Sequence, residues 1–161
     1  MAEEQNRLVI REGVEADLAK LRQLFRDTVL AINPKYYSGQ QLQAWASAWM
    51  NEERWHQKFQ LQHFFVAEKE DHPVGFCSIS PNGYLDFLYV HRDYQRQGIA
   101  SALLKTAETQ ASQNLIKLLT TESSKSAYDF FIRQGFTVLT KQTIKVNGVS
   151  MENFAMQKKL V

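Results

Sequence analysis

The sequence predicts an α/β domain of the α+β type: a mixed, mostly antiparallel central sheet flanked by helices on both faces. Three observations predict it. Helical spacings of apolar residues occupy 14–59, whereas strand-like runs dominate from residue 63 onward. A strand-like run at 84–90, an amphipathic stretch at 98–113 and an apolar run at 115–122 form one strand–helix–strand unit, which must be a parallel, right-handed crossover. Asn147-Gly148 stands between two long runs, the strongest short signal for an antiparallel hairpin.

Residues 7–11 read as a first strand, broken at Glu12-Gly13. Val14, Leu18, Leu21, Phe25 and Ile32 then recur at helical spacing; Glu15 and Asp17 suit the helix start, and Asn33-Pro34 ends it. Ser38 and Gln41 have the spacing of a capping box before a helix carrying Leu42, Trp45, Ala46 and Trp49 on one face. Asn51 opens a third helical piece with Trp55 and Phe59 four apart. Trp45 and Trp49 read as packing on the sheet, while Tyr36 and Tyr37, in a connection, read as an aromatic wall for a substrate. Strands at 63–68, 73–80 and 84–90 make an antiparallel meander with turns at 69–72 and 80–83. Ser123-Ser124 can cap a helix containing Ala127, Phe130 and Phe131, with Gly135 just past its end. Strands at 136–146 and 149–158 complete the order.

A chain of 161 residues suits one domain, assigned here to 7–160, with 44% hydrophobic and 22% charged residues. The net charge of +2 and the lack of a Lys/Arg run give no stripe for nucleic acid or a membrane surface. Cys77 is the single cysteine, which excludes an internal disulfide and a cysteine-rich zinc site, and it reads as a small buried hydrophobe. His56, His63 and His72 have no metal-ligand spacing. The polar start Met1-Ala2-Glu3-Glu4-Gln5 is no signal peptide, and no apolar run reaches spanning length. A cytoplasmic location is the expectation. The final hairpin offers an edge to a second copy, a homodimer.

The stretch 94–101 organises the rest. Ala100, Leu103, Leu104, Ala107 and Ala111 form one apolar stripe, so Gly98 sits at a strand-to-helix turn. The first four N–H groups of a helix lack internal partners, and no Ser, Thr, Asn or Asp stands at 95–98 to cap them. Free donors and the positive end of the helix dipole make an anion site, Gly98 allows close approach, and Arg96 adds a charge that forks onto phosphate. Neither G-x-G-x-x-G nor a P-loop is present.

Gln95-x-x-Gly98-x-Ala100 resembles the acetyl-coenzyme A signature (Gln/Arg)-x-x-Gly-x-(Gly/Ala) of the GNAT acyltransferase superfamily. Ser124-Lys125-Ser126-Ala127-Tyr128-Asp129-Phe130-Phe131, continuing to Gly135-Phe136, is similar to that family's Asn-x-x-Ala-x-x-Phe-Tyr-x-x-x-Gly-Phe stretch. With the element order, the resemblance covers most of 7–160. It implies a coenzyme site made of Gln95, Arg96, Gln97, Gly98, Ile99, Ala100 and Ser101, with Ser124, Ala127, Tyr128 and Phe131 alongside. It also implies a splay between the strands at 84–90 and 115–122, where N–H groups near Leu88, Tyr89 and Val90 hold the acyl-pantetheine arm.

The implied reaction is direct transfer of an acetyl group from acetyl-coenzyme A to a primary amine of a small molecule or peptide, with no metal. A neutral amine needs a base, the developing oxyanion needs fixed donors, and the thiolate needs a proton or a positive environment. Asp86 and Glu122 are the candidate bases. His91 reads as an exposed or paired strand-end group. Phe131 stands where the family often has a Tyr general acid; Tyr128, about one helical turn earlier, is the candidate proton donor in its place, the alternative being that it merely packs. The missing Tyr also motivates an alternative, a non-catalytic acyl-coenzyme A binding or regulatory module. A nucleotide-binding domain using 95–101 is the third reading.

Overall fold

The computed structural model describes residues 7–161, so the acidic start Met1–Gln5 lies outside the described residues. Seven strands form one sheet: β1 (Val9–Glu12), β2 (His63–Lys69), β3 (His72–Ile79), β4 (Tyr84–Val90), β5 (Leu118–Ser123), β6 (Thr137–Val146) and β7 (Val149–Lys159). Their spatial order is β1-β2-β3-β4-β5-β7-β6, and the β4–β5 pair alone is parallel. Helices α1 (Leu18–Leu30), α2 (Gly39–Ala46) and α3 (Glu52–Leu61) pack on one face, and α4 (Ile99–Gln113) packs on the other. The short helix α5 (Tyr128–Arg133) joins β5 to the β6–β7 hairpin. This is the mixed, mostly antiparallel architecture expected from the sequence.

Two cores result from the period-2 alternation of the strands. Phe65, Ala67 and Cys77 join Ile99, Leu103, Leu104 and Ala107 of α4. Phe64, Val66 and Phe76 join Leu21, Phe25 and Trp55 from the other helices. Cys77 is fully buried, its thiol pushed up to about 12 by that burial.

Local chemistry sets the boundaries. The Ser38–Gln41 capping box forms, with the Ser38 side chain accepting from the Gln41 N–H. The first helical pattern begins instead as a 3₁₀ turn, Glu15–Asp17, and becomes α-helical at Leu18. Asp17 accepts from the Val14 N–H at 2.7 Å and pairs with Arg11, which fixes the strand-to-helix entry. β5 starts at Leu118 rather than 115, because Leu115 is left-handed (φ 62°) and exposed. Among the described residues no helix is long and apolar enough to cross a membrane.

Candidate active site

β4 carries a bulge that sets up the site. Ser78 of β3 pairs with Phe87 and Ile79 pairs with Leu85, so Asp86 is an extra residue on β4. A bulge re-aims a side chain and shifts the pleat phase. Leu85 therefore belongs to the α4 core while Phe87, two residues on, belongs to the opposite core. Asp86 turns toward α3. It accepts from Lys58 Nζ at 2.8 Å and from Gln62 Nε2 at 2.8 Å. Gln62 accepts in turn from the Ser78 hydroxyl, which also accepts from the Phe87 N–H.

β4 and β5 are in register only at Tyr84↔Thr120 and Leu85↔Thr121, and beyond that they part. The His91 N–H goes to Val74 O and the Phe87 N–H to Ser78, both on β3. Strand alternation then directs the Leu88 and Val90 N–H groups away from β3, into the gap. The Tyr89 N–H shares the direction of Phe87 and His91. Of the three expected backbone donors, Leu88 and Val90 face the cleft, and Tyr89 contributes its ring instead.

The gap opens into a cleft of about 700 Å³, lined by Leu88, Val90, Gln95, Arg96 and the N-terminus of α4. Gly98 is the N-cap of α4 at φ 79°, with no side-chain cap, and Arg96 is also left-handed at φ 59°. Such turns gather successive N–H groups into a concavity that suits an anion. A Cβ at Gly98 would meet nothing within 4 Å, so the glycine leaves open space above the helix end. The Gln95 side chain is spent locking the loop, its amide donating to Val90 O. Gln97 turns outward, its carbonyl oxygen accepting from Lys69 Nζ at 2.7 Å, so only its backbone is available. Ile99, Ala100, Ser101, Ser124, Ala127 and Phe131 line the cleft. Arg92 and Arg133, which sequence reasoning missed, add guanidinium groups to its wall.

Tyr128 does not line the cleft. The cleft is lined by Ala127, Asp129, Phe130 and Phe131, while the Tyr128 ring sits 4.7 Å from that of Phe154. Tyr128 and Phe131 both pack into the α4-side core, and of the two only Phe131 also lines the cleft. Ser124 accepts from the Ala127 N–H at 3.2 Å, so it caps the turn while lining the cleft. His91 likewise accepts from the Asp93 N–H at a 3₁₀ turn.

A second cavity of about 420 Å³ lies on the α1–α3 side of the sheet. Phe25, Trp45, Trp55, Tyr84, Phe87 and Tyr89 wall it. Trp55 stacks on Phe87 at 4.7 Å, and Phe25 meets Trp55, Phe87 and Tyr89 edge-on, a rigid aromatic lining. Burial raises the Tyr84 and Tyr89 phenols above their ordinary value, and the nearby carboxylates Glu122 and Asp86 (at Tyr84) and Asp86 (at Tyr89) raise them further. The expected aromatic pair is divided. Tyr36 lines the larger cleft; Tyr37 touches the second cavity but is 3% exposed. The Tyr37 hydroxyl donates to Glu152 O at 2.7 Å and accepts from the Lys125 N–H at 2.9 Å, so it is a strut tying α2 to β7.

Trp45, Asp86, Tyr89, Glu122 and Ser124 line both cavities. Two clefts meeting at the carboxylates Asp86 and Glu122, one bordered by free strand N–H groups and an uncapped helix, suit transfer of a group between two ligands. The comparisons with known proteins agree. A family model described as an acetyltransferase (GNAT) domain matches residues 34–160. The uncharacterized N-acetyltransferase YafP of Escherichia coli is 35% identical over 154 residues, 96% of this chain and 97% of the relative.

The chain is a GNAT-family N-acetyltransferase.

Within the family, a GCN5-related N-acetyltransferase crystal structure from Rhodopseudomonas palustris superposes with a TM-score of 0.91 at 29% identity, covering 94% of this chain and 95% of that one. The PaiA N-acetyltransferase of Thermoplasma acidophilum, solved with coenzyme A, shares the fold with a TM-score of 0.76 at 20% identity over 95% and 99% of the chains. The signature segment read from 95–101 is, in this GNAT member, the loop whose N–H groups open into the larger cleft. Among the described residues no cluster of three or more His, Cys, Asp or Glu could hold a metal.

Proposed function

We propose that the enzyme acetylates a primary amine by direct attack, with coenzyme in the larger cleft, acceptor in the second cavity, and Glu122 as base. The observation that carries this reading is that, of the two carboxylates both cavities share, Asp86 is paired and Glu122 is without a side-chain partner among the described residues. When bound, acetyl-coenzyme A supplies an activated acyl group: its C–S bond breaks as the amide bond forms. The N–H donors at 98–101, with Arg96, Arg92 and Arg133 beside them, suit the coenzyme's phosphates. The Leu88 and Val90 N–H groups suit the pantetheine arm and the acyl oxygen, where fixed dipoles act without reorganising.

Asp86 and Glu122 differ in what already holds them. Asp86 is committed to Lys58 and Gln62. Among the described residues Glu122 has no hydrogen-bonding or ion-pair partner and is exposed to both cavities. Glu122 takes the amine proton; Asp86 fixes the bulge and aims β4. With Tyr128 on Phe154, and burial holding Tyr84 and Tyr89 as neutral phenols, the thiolate leaves into the open cleft without a tyrosine acid.

Glu122→Gln tests the assignment. It keeps size and polarity and removes the base. Turnover at neutral pH should fall by about 10²–10⁴-fold. The coenzyme-induced rise in melting temperature should stay as in the parent. Parental turnover in this variant would place the base elsewhere.

A further inference from the structure

Asn153 sits in β7 facing the second cavity, 8% exposed. Among the described residues its Oδ1 has no hydrogen-bond partner. A buried, unpaired amide is costly, and such a group in a native structure calls for a partner. Sheet register shows where that partner belongs. Glu122 of β5 pairs with Ala155 of β7, and Asn153, two residues on, shares the face of Ala155. Glu122 and Asn153 are therefore diagonal cross-strand neighbours, with separations of about 7–8 Å between such positions. From such neighbouring positions a carboxylate and an amide oxygen can converge on one donor-rich group.

The other two carboxylates of this cavity are already matched. Asp86 pairs with Lys58 at 2.8 Å, and Glu152 pairs with Lys141 at 2.7 Å. The walls are aromatic and locked by mutual contacts. An ammonium at one end and a flat apolar body along the wall complement this arrangement, with cation–π attraction from the rings adding to it.

We propose that the second cavity selects a small primary amine on a flat apolar body, an arylalkylamine in chemical class, and that Asn153 with Glu122 receives its ammonium group. Asn153 is a specificity-determining residue in this proposal, which rests on the acetyl-transfer reading above. A long polyamine or a lysine side chain has no flat apolar body to lie along these aromatic walls.

The test uses the full chain and follows thiol release from acetyl-coenzyme A with 2-phenylethylamine, spermidine and a lysine-bearing peptide. The parent should prefer 2-phenylethylamine by at least about 10-fold in kcat/KM, the scale of one hydrogen bond to a charged donor. Asn153→Leu should raise the KM for that amine by about 10-fold with kcat little changed. Its melting temperature should equal or exceed the parent's, because an unpaired buried amide has been replaced by an apolar group of similar size. Asn153→Asp, which keeps an acceptor oxygen, should hold KM within about 3-fold of the parent. A merely structural Asn153 would instead lower the melting temperature in Asn153→Leu and leave KM alone. Unchanged KM in Asn153→Leu, or preference for spermidine or the peptide, overturns the proposal while the coenzyme-induced thermal shift survives. Absence of that shift in the parent overturns the acetyl-transfer reading and this proposal with it.

Discussion

Along the larger cleft, the groups offered to a ligand are mostly backbone: the N–H donors at the start of α4, the freed edge of β4, and the left-handed turns at Arg96 and Gly98. The second cavity offers almost only side chains, gathered from Phe25, Trp45, Trp55, Asp86, Glu122 and Asn153 on six different segments. Backbone donors read a phosphate or an acyl oxygen whatever the neighbouring residue types, so one cofactor can be served by a short contiguous stretch. Side chains from distant segments read the shape and charge of one acceptor. Conservative changes should therefore be tolerated in the first region and felt in the second, except where they alter backbone shape or fixed charge.

Arg96 is such an exception, and the largest of the remaining effects belongs to it. Arg96→Ala removes a guanidinium from the cleft wall without touching the second cavity. Coenzyme affinity should weaken by about 1.5–3 kcal/mol, roughly 10–150-fold, with turnover at saturating coenzyme nearly unchanged. Isothermal titration together with saturation kinetics separates the two quantities. A large loss of saturated rate at parental affinity would move Arg96 from binding into chemistry.

The smallest effect should come from Tyr128→Phe. The change deletes one oxygen from a ring that rests on Phe154 and does not line either cavity. Turnover should stay within about 3-fold of the parent, against the 10²-fold or greater loss expected of a general acid. A loss of that size would show that the hydroxyl reaches the leaving thiolate and that α5 moves during turnover.

These two residues also show where the sequence was legible. The loop 95–101 was readable because its function follows from a glycine, a missing cap and a helix periodicity, all local properties. The β4 strand was readable as a run, but its bulge was not. Nothing in Leu85-Asp86-Phe87 says that Ser78 and Ile79 will face Phe87 and Leu85 in the partner strand. Asp86 was found as the polar break in an apolar strand, while its commitment to Lys58 and Gln62 required the tertiary fold. Three residues in a helix leave side chains about 60° apart, and on α5 that offset leaves Phe131 in the cleft lining and Tyr128 outside it, which the sequence motif could not show. Asn153 gave no signal at all: a polar residue in an alternating hairpin strand reads as solvent-facing, and only the tertiary fold places it at a cavity with Trp45, Trp55 and Glu122. Trp45, read as packing, does pack on Tyr37 and Tyr89, and also stands where the two cavities meet.

The central claim is that coenzyme is held by backbone at the start of α4, and a matched pair of glycine variants tests it most directly. Gly98 and Gly148 both have φ 79°, and at both a Cβ would meet nothing within 4 Å. Valine at either site therefore brings similar backbone strain, but only Gly98 borders the cleft; Gly148 lies in the β6–β7 turn. At a coenzyme A concentration about 100 times Kd, the parent should gain about 5–10 °C in melting temperature. Gly148→Val should show the same gain from its own lower baseline. Gly98→Val should show none, because the new side chain fills the space a pyrophosphate needs. Equal gains in both variants would contradict the account and place the coenzyme elsewhere.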